Sequence, residues 1–514
     1  MSNSIRSVLI AMACVAISLS SCQQGNQSSE VGQESKASVP SAVTEQLSTQ
    51  PPSNQPSEQA TTADQAATSK PRGAPDAAST ALPITSLVEK SPPTPPKFRR
   101  PDVRQPHDDA RLAAVGISLF ESKRFKLYTD IDAEIARTLP PLVDQAFDAW
   151  EQVLGPLLPD EAGTDFQITG YLIRDMSLFR AEGLVPNELA IEHGRQVGYE
   201  FWMRDQPFDY FREHLLIHEA THCFMTAADD VELPVWYLEG MAEYFGLHTI
   251  DSQGRAKFGV VPTSAKDFAG FRRIQLIHDD VVANRALSIS SILEFHPLEF
   301  RTLKHYAWSW ALCLFLDKSP KYRDRFRQLP RDGDHISFNQ RFLETFQQNQ
   351  PDLTTEWSLF TAGLQYGYDF ERATIEFHSG EPLSKGQQHT VRIDADRGWQ
   401  SSKVLLERGQ TYTINATGDF TLADQPKPWL SEPDGISFRY FGGRPIGMLL
   451  GCIREEASPT TPPSESMLSI IPIGRTLTFK PDVSGTLYLR INDAWNSLAD
   501  NKGHTEVTVK PNDR

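Results

Sequence analysis

The sequence predicts a mixed α+β domain followed by an all-β domain, both placed behind a disordered N-terminal segment. Residues 23–108 consist mainly of Ser, Gln, Thr, Ala and Pro, so they cannot bury enough apolar surface to fold. Residues 109–373 have mostly helical patterns with a few strands, whereas residues 374–514 have short alternating segments separated by Gly, Pro and Asp. The folded remainder, about 400 residues, is too long for one core, so two domains are expected.

The chain begins with the features of an export signal. Arg6 precedes an apolar run over residues 8–19, which is shorter than the roughly 20 residues of a membrane-spanning helix. The run ends in Leu-Ser-Ser-Cys at residues 19–22, which resembles the bacterial lipobox. This resemblance implies a lipoprotein of the cell envelope, anchored in the outer membrane or at the periplasmic face through acyl chains on Cys22. An ordinary cleaved signal peptide with an incidental cysteine is the alternative.

Residues 23–108 are predicted to form a tether between that anchor and the folded part. As a flexible coil, such a segment has an r.m.s. reach of roughly 50 Å, and its Pro-rich end at residues 91–96 stiffens it further. The folded part is therefore expected to stand clear of the lipid surface.

The α+β domain is predicted to contain a small sheet followed by long helices. Residues 125–129 and 166–173 have the composition of strands, and residues 197–202 alternate like an edge strand. A strongly apolar stretch at residues 209–227 predicts a buried helix, and further helices are predicted over the following stretches: residues 235–247 and residues 305–316.

The first two of these helices carry the residue types of a metal site. His218 and His222 lie four apart on one helix face, with Glu219 one position further round. Catalytic zinc typically takes three protein ligands and leaves a position for water, whose pKa falls to about 7. Glu239 and Glu243 are also four apart, and either can reach the same metal. We favour a zinc site formed by His218, His222 and Glu239, with Glu219 as the base.

Together, residues 218–222 and 233–244 resemble the gluzincin branch of the HExxH metallopeptidases, above all the bacterial peptidase MA-like proteins, whose Leu-Pro-x-Trp-x-x-Glu-Gly-x-Ala-Glu-Tyr pattern they match. The resemblance implies a zincin-like fold, zinc-dependent peptide hydrolysis with Glu239 as third ligand, and a peptide or protein substrate that pairs with an edge strand. It also implies an oxyanion-stabilising Tyr or His from a later helix, for which Tyr306 is the candidate. A core-packing role for Tyr306 is the alternative.

Composition argues against a nucleic-acid-binding protein and against a disulfide-rich protein. The chain has 50 basic and 66 acidic residues and no basic cluster, so no nucleic-acid partner is expected. Cys223, Cys313 and Cys452 remain after the signal and the lipidated cysteine, and this odd number argues against a disulfide framework. His214 is interpreted as a solvated helix-face residue, with a hydrogen bond to a metal ligand as the alternative.

The C-terminal domain is predicted to be a β-sandwich. Residues 410–418 and 485–491 alternate between apolar and polar positions, as strands with one buried face do. The loop at residues 492–503 gathers carboxylate and amide oxygens, which suit a hard cation such as Ca²⁺. A solvated Asn/Asp turn is the alternative.

Residues 397–510 resemble the calcium-dependent galactophilic bacterial lectins, through this loop and through the following positions: Gly418, Trp429, residues 433–435 and residues 447–451. The resemblance implies a jelly-roll, lectin-like fold in which Asp493, Asp500 and Asn501 bind calcium through side chains and Ser497 through its carbonyl. A carbonyl near Leu422 would complete the site.

Two departures separate the chain from those lectins. Asp500 stands where the lectins usually have Asn, which should strengthen calcium binding. Residues 432–435 are Glu-Pro-Asp-Gly where the lectins have His-Pro-Asp-Gln, so sugar specificity does not carry over.

These observations predict a zinc peptidase of the bacterial cell envelope whose C-terminal domain targets glycan or substrate. The first alternative is a non-catalytic, glycan-binding lipoprotein that uses the peptidase fold as a scaffold. The second is a structural envelope protein in which neither metal site is used.

Overall fold

The computed structural model describes residues 97–227, 232–330, 337–455 and 465–512. The predicted export signal, Cys22 and most of the predicted tether lie outside these residues. The described chain has α and β content, with a curled β-sheet region at its C-terminal end. None of the helices in these ranges is long and apolar enough to cross a membrane.

A five-stranded sheet forms the start of the folded part, with strand order β1-β2-β3-β5-β4. The predicted strand at residues 125–129 is confirmed, and the one predicted at 166–173 begins two residues later. The elements of this region are β1 (Ser118–Glu121), β2 (Phe125–Thr129), β3 (Ile168–Ile173), β4 (Gly194–Val197) and β5 (Glu200–Arg204), with α1 (Asp109–Ala114), α2 (Ala133–Ala136), α3 (Leu139–Leu154) and α4 (Met176–Ala181).

The edge of this sheet differs from the prediction. Residues 197–202 do not form one edge strand, because Gly198 adopts a φ of 59°, a left-handed conformation that favours glycine, and turns the chain. The result is a hairpin in which β5 pairs with β3 on one side and with β4 on the other. The edge strand on this side of the sheet is therefore β4, and β1 is the edge strand on the other side.

Helices dominate the middle of the chain. The three helices predicted over residues 209–227, 235–247 and 305–316 are present as α5, α6 and α9, and α6 packs against both of the others. The elements are α5 (Asp209–Met225), α6 (Val235–Gly246), β6 (His248–Ile250), β7 (Ala256–Phe258), α7 (Arg273–Val282), α8 (Ile289–Leu293), α9 (Leu303–Lys318), α10 (Arg323–Gln328), α11 (Phe338–Phe346), α12 (Gln350–Gly363) and α13 (Phe370–Ala373).

The C-terminal region contains two six-stranded sheets. Apolar residues from both sheets, such as Val404 and Leu489 from one and Ile414 and Val507 from the other, belong to one buried cluster. The predicted strands at residues 410–418 and 485–491 are confirmed as β11 and β18. The strands are β8 (Glu381–Pro382), β9 (His389–Asp394), β10 (Gln400–Leu406), β11 (Tyr412–Thr417), β12 (Phe420–Thr421), β13 (Leu430–Ser431), β14 (Asp434–Phe441), β15 (Arg444–Arg454), β16 (Ile471–Pro472), β17 (Thr476–Phe479), β18 (Gly485–Ile491) and β19 (Lys502–Pro511).

The last residues of the predicted tether are packed against the sheet. Arg99 donates through Nη2 to the Thr164 carbonyl at 2.6 Å, and Arg104 donates through Nη1 to Thr169 Oγ1 at 2.7 Å. These contacts fix residues 97–107, so the folded part begins before the predicted boundary at residue 109.

The helical and β-rich parts also have a continuous core. Trp399, Tyr488 and Trp495 from the β-rich part belong to the same buried apolar cluster as Phe360 of α12. The Trp495 and Tyr368 rings lie 5.6 Å apart, centroid to centroid. The change from helices to strands near residue 374 is thus a change of secondary structure within one packed body.

Candidate metal centre

Helices α5 and α6 bring the predicted ligands together in the interior of the fold. Apolar residues surround α5 on most sides, with Leu216, Ile217 and Ala220 fully buried. All twelve residues of α6 are buried. Because both helices are packed so closely, their polar side chains are held in fixed positions, and the buried polar groups must find partners or a bound ion.

His218, His222 and Glu239 form a compact triangle of potential ligand atoms. The two Nε2 atoms lie 3.2 Å apart, and Glu239 Oε2 lies 3.3 Å from Nε2 of His218 and 3.4 Å from Nε2 of His222. A tetrahedral zinc ion with ligand distances of about 2.0–2.1 Å separates its ligand atoms by about 3.3–3.4 Å. The donor set and its spacing therefore fit a zinc ion.

An unsatisfied oxygen supports this fit. Glu239 Oε2 is buried and makes no hydrogen bond within the described structure, although it lies between two imidazoles. A buried carboxylate oxygen without a partner is costly, so it normally marks a bound ion or a strained site. In this position it faces the point that the two imidazole nitrogens also face.

The histidines and Glu239 of the triangle shift one another's pKa values. Burial opposes ionisation of Glu239, but the imidazoles of His222 and His218 outweigh burial and lower the pKa of Glu239 to about 2. Burial likewise disfavours the cationic form of His218, but the neighbouring carboxylates of Glu239 and Glu243 outweigh it and raise the pKa of His218 to about 9. Without a metal ion, a proton on His218 therefore balances the charge of the Glu239 carboxylate.

Glu219 lies beside the triangle and is 3% exposed. Burial raises the pKa of its carboxyl above the ordinary value, while the neighbouring imidazoles oppose that rise. A raised pKa suits a carboxylate that must accept and return a proton near neutral pH. Glu219 packs so closely on β4 that a Cβ at Gly194 would lie 2.1 Å from its Oε1.

A second set of three potential ligands, His214, His218 and Glu243, also lies within ligand distance. The Arg273 guanidinium hydrogen-bonds both oxygens of the Glu243 carboxylate, donating through Nη2 at 2.8 Å and through Nε at 3.1 Å. This guanidinium cancels the charge that a metal would need, and it keeps the pKa of Glu243 well below its ordinary value against the effect of burial. Of the two glutamates that the sequence leaves open, Glu239 is therefore the one whose carboxylate is not paired with Arg273 and lies against both Nε2 atoms.

The Glu243–Arg273 ion pair lies on the Nδ1 side of His218, whereas the triangle lies on its Nε2 side. Glu243 Oε1 lies 3.6 Å from His218 Nδ1, and Glu243 Oε2 lies 3.5 Å from His214 Nε2. His214 is 1% exposed and stacks on Phe211, so the prediction that it is a solvated helix-face residue was wrong. Burial lowers the pKa of its imidazole.

Tyr306 lies on α9 next to the triangle. Its ring is buried, and its centroid is 6.3 Å from that of His218 and 5.1 Å from that of Phe300. The structure thus brings Tyr306 to the site, in surroundings that fit both roles considered from the sequence.

The four predicted calcium residues lie in the loop between β18 and β19. Asp493 and Asn501 are buried, whereas Asp500 is exposed and Ser497 is intermediate. Asn501 Oδ1 is buried without a hydrogen-bond partner in the described structure. Burial raises the pKa of the Asp493 carboxyl, hydrogen bonds from the Ala494 N–H and the Asn501 amide oppose this rise, and the charge of Asp500 adds to it. Leu422 follows the ladder pair Thr421–Lys502, which places it opposite Asn501.

Two residues that contact the candidate metal site carry no recognisable sequence motif. Arg273 lies on α7 and Gly194 on β4, both remote in sequence from the metal ligands. A second glutamate in the almost entirely apolar helix α6 was the available signal for Arg273, because a buried carboxylate requires a cationic partner.

Several known proteins are similar to parts of the chain. Comparison with curated proteins finds no match. Among solved structures, similarity extends to the EclA N-terminal domain, a PllA-like lectin (21% identity, 24% of this chain and 96% of the other, TM-score 0.18), a de novo designed double-stranded β-helix (12%, 24% and 99%, 0.12) and Aeromonas hydrophila PliG, a periplasmic inhibitor of g-type lysozyme (10%, 27% and 99%, 0.16). Residues 214–330 match a family described as protein of unknown function (DUF1570). That segment contains His218, His222 and Glu239, together with Arg273 and Tyr306.

Proposed function

We propose that the protein is a zinc-dependent peptide hydrolase with a zincin-like (gluzincin) catalytic part. The observation that carries this proposal is the triangle of His218, His222 and Glu239, whose ligand atoms are 3.2–3.4 Å apart and which lies beside the buried carboxyl of Glu219. A base next to a three-ligand, open zinc site is the arrangement that metal-assisted hydrolysis requires.

Each residue of the site has a role in this reaction. Zinc, when bound, activates water and polarises the scissile carbonyl. Glu219 accepts the proton of the attacking water and delivers it to the leaving amine, for which its raised pKa suits it. The Tyr306 hydroxyl donates to the oxygen that becomes negative in the transition state. Glu243 and Arg273 hold His218 in place from the side opposite the substrate.

The edge strand β4 provides a place for the substrate. It ends the sheet order, so its outer backbone groups can pair with an extended peptide by strand addition. Gly194 of β4 touches Glu219, so a peptide paired with β4 would run past the base.

A substitution at this contact tests the positioning of the base. Gly194→Ala places a methyl group 2.1 Å from Glu219 Oε1, so the carboxyl must move. A displacement of about 1 Å is expected to lower kcat roughly 100-fold while zinc content stays unchanged. Val197→Ala, in the same strand at a residue that is 48% exposed, is the matched control. Equal activity of the two variants would contradict this placement of Glu219.

The remaining parts of the chain position the enzyme. We propose that acyl chains on Cys22 anchor it in the cell envelope and that residues 23–96 serve as the tether. The C-terminal region, as a lectin-like jelly roll, would bind Ca²⁺ through Asp493, Ser497, Asp500 and Asn501 and hold the enzyme near glycan or glycosylated substrate. The unpartnered Asn501 Oδ1 supports the cation site.

Metal analysis combined with cleavage-site profiling tests the proposal. Protein purified without chelator is expected to contain one zinc per chain and to cleave members of a peptide library. Zinc far below one equivalent, with no cleavage, would favour the scaffold alternative. Equilibrium dialysis with zinc and with calcium separately would reveal the structural alternative, in which neither ion binds.

Zinc uptake should also release a proton. His218 has a pKa of about 9 in the metal-free protein, so it is protonated at pH 7, and zinc takes its unprotonated form. Glu239, with a pKa of about 2, is already ionised and contributes no proton. Calorimetric titration in buffers of different ionisation enthalpy is expected to show about one proton released from His218 at pH 7, and almost none well above pH 9. Zinc binding at pH 7 without proton release would contradict the coupling between His218 and Glu239.

A further inference from the structure

The loop that joins β18 to β19, residues 492–501, docks directly on the helical part. The backbone N–H of Asp369 donates to the Trp495 carbonyl at 3.1 Å, and Asn496 Nδ2 donates to the Tyr366 carbonyl at 2.9 Å. With its side-chain oxygen facing the loop, Gln365 accepts from the backbone N–H of Trp495 at 2.7 Å and of Asn496 at 2.9 Å. The segment at residues 363–369, between α12 and α13, is therefore the docking site of the loop.

Trp495 is the centre of this contact. Its indole packs against Gly363, and its ring lies 5.6 Å from that of Tyr368. On another side, the Arg490 guanidinium lies 3.9 Å from the Trp495 ring centroid. A buried aromatic anchor surrounded by hydrogen bonds is typical of the energetic centre of an interface.

The same short loop carries the oxygen cluster. Asp493 precedes Trp495 by two positions, and Asn501 follows it by six. Arg490 donates through Nη2 to the Asp493 carbonyl at 2.6 Å, and the N–H of Ala494 donates to Asp493 Oδ1 at 2.8 Å. Asn501 donates through Nδ2 to the Ala395 carbonyl, which leaves its buried Oδ1 without a donor in the described structure.

A cation would supply the partner that Asn501 Oδ1 lacks in the described structure. Asn501 is 3% exposed, so water cannot easily satisfy this oxygen, and the Asp493 carboxylate on the same loop is only 5% exposed. A hard divalent ion accepts carboxylate, amide and carbonyl oxygens together. It would also offset the negative charges of Asp493 and the exposed Asp500, which lie on the same ten-residue loop.

We infer that a hard divalent cation at Asp493, Asp500 and Asn501 fixes the 492–501 loop in the shape that docks on residues 363–369, so that cation binding and docking of the β-rich part on the helical part stabilise each other. This inference rests on the calcium site of the proposed function and gives that site a structural role. A cation bound to the loop would restrict the conformations of its ten residues. The loop would then lose less conformational entropy when it docks. By linkage, each event strengthens the other by the same factor.

Hydrogen–deuterium exchange of the purified full-length protein, with and without CaCl₂, tests the inference. Calcium is expected to slow amide exchange in residues 363–369 about tenfold, a typical size for coupling between sites. Calcium that binds without changing exchange there would overturn the inference and leave the calcium site standing. Failure of calcium to bind, measured by calorimetry, would overturn both and leave the zinc proposal untouched.

Three variants sharpen the result. Asp493→Asn should abolish calcium binding and, with it, the slowing of exchange. Asn496→Ala keeps every proposed ligand but loses the bond to the Tyr366 carbonyl, so it should weaken both calcium affinity and the slowing. Asp482→Asn removes the same charge at an exposed site outside the loop and should behave as wild type. Asn496→Ala with unchanged calcium affinity and unchanged slowing would contradict the coupling.

Discussion

Glu219→Gln is expected to lower kcat for peptide cleavage by about 10²–10⁴-fold, the usual contribution of a general acid–base group. The amide has nearly the same shape as the carboxyl but can neither accept the proton from water nor return it to the amine. Because Glu219 is not one of the three triangle residues, zinc content should remain at one equivalent. Cleavage-site profiling of the variant beside the wild type gives the comparison.

Glu213→Gln is a matched control for this change. Glu213 lies on the same helix and bonds His248 rather than the triangle, so the variant loses the same charge away from the base. It should retain wild-type cleavage. Wild-type turnover of Glu219→Gln would remove this residue from the mechanism, and loss of zinc in that variant would make it a metal-site residue instead.

Glu239→Ala should remove zinc from the purified protein. Glu243→Gln should weaken zinc binding about 10–100-fold, as is usual when a residue that orients a metal ligand is changed. The difference follows from the geometry. Glu239 Oε2 lies within 3.4 Å of both Nε2 atoms, while Glu243 approaches His218 on its Nδ1 side. Zinc affinity by competition with a chromogenic chelator measures both changes.

The two variants should also differ in stability. Glu243→Gln leaves the buried Arg273 guanidinium without its carboxylate, so the free energy of unfolding is expected to fall by about 3–5 kcal/mol. Glu239→Ala removes a carboxylate whose charge is balanced by imidazoles, and an imidazole can lose its proton. In the absence of zinc, this variant should therefore lower the free energy of unfolding by less than Glu243→Gln does. A Glu243→Gln protein that is as stable as wild type would contradict the role given to Arg273. Denaturant unfolding without zinc distinguishes these outcomes.

Much of the candidate metal site could be predicted from sequence because the position of its potential ligands depends on local geometry. Helix periodicity places His218 and His222 on one face, and a short connection brings Glu239 to them. His214 was misjudged because periodicity does not say what covers a helix face, and here Phe211 and Phe271 do. Gly194 and Arg273 come from remote elements, so tertiary packing alone brings them to the site.

The start of the folded part and the ends of the edge strand were harder to predict, because they too depend on tertiary contacts and on single residues. The Pro-rich composition before residue 109 hides two arginines whose partners lie on β3 and its flanking loops. The pattern at residues 197–202 alternates correctly, but one glycine reverses the chain there. Alternation specifies which residues face the core, and it does not specify whether one strand or two carry them.

Burial of the three candidate ligands has a kinetic consequence. His218, His222 and Glu239 are 3%, 7% and 2% exposed, so their side chains cannot turn away from a bound ion unless α5 and α6 separate locally. Under the proposed function, a bound ion would therefore leave through the position that is open to water and substrate. A small chelator that enters this position should remove the ion faster than a bulky one, and dialysis against the small chelator would be the practical route to metal-free protein for loading with other metals.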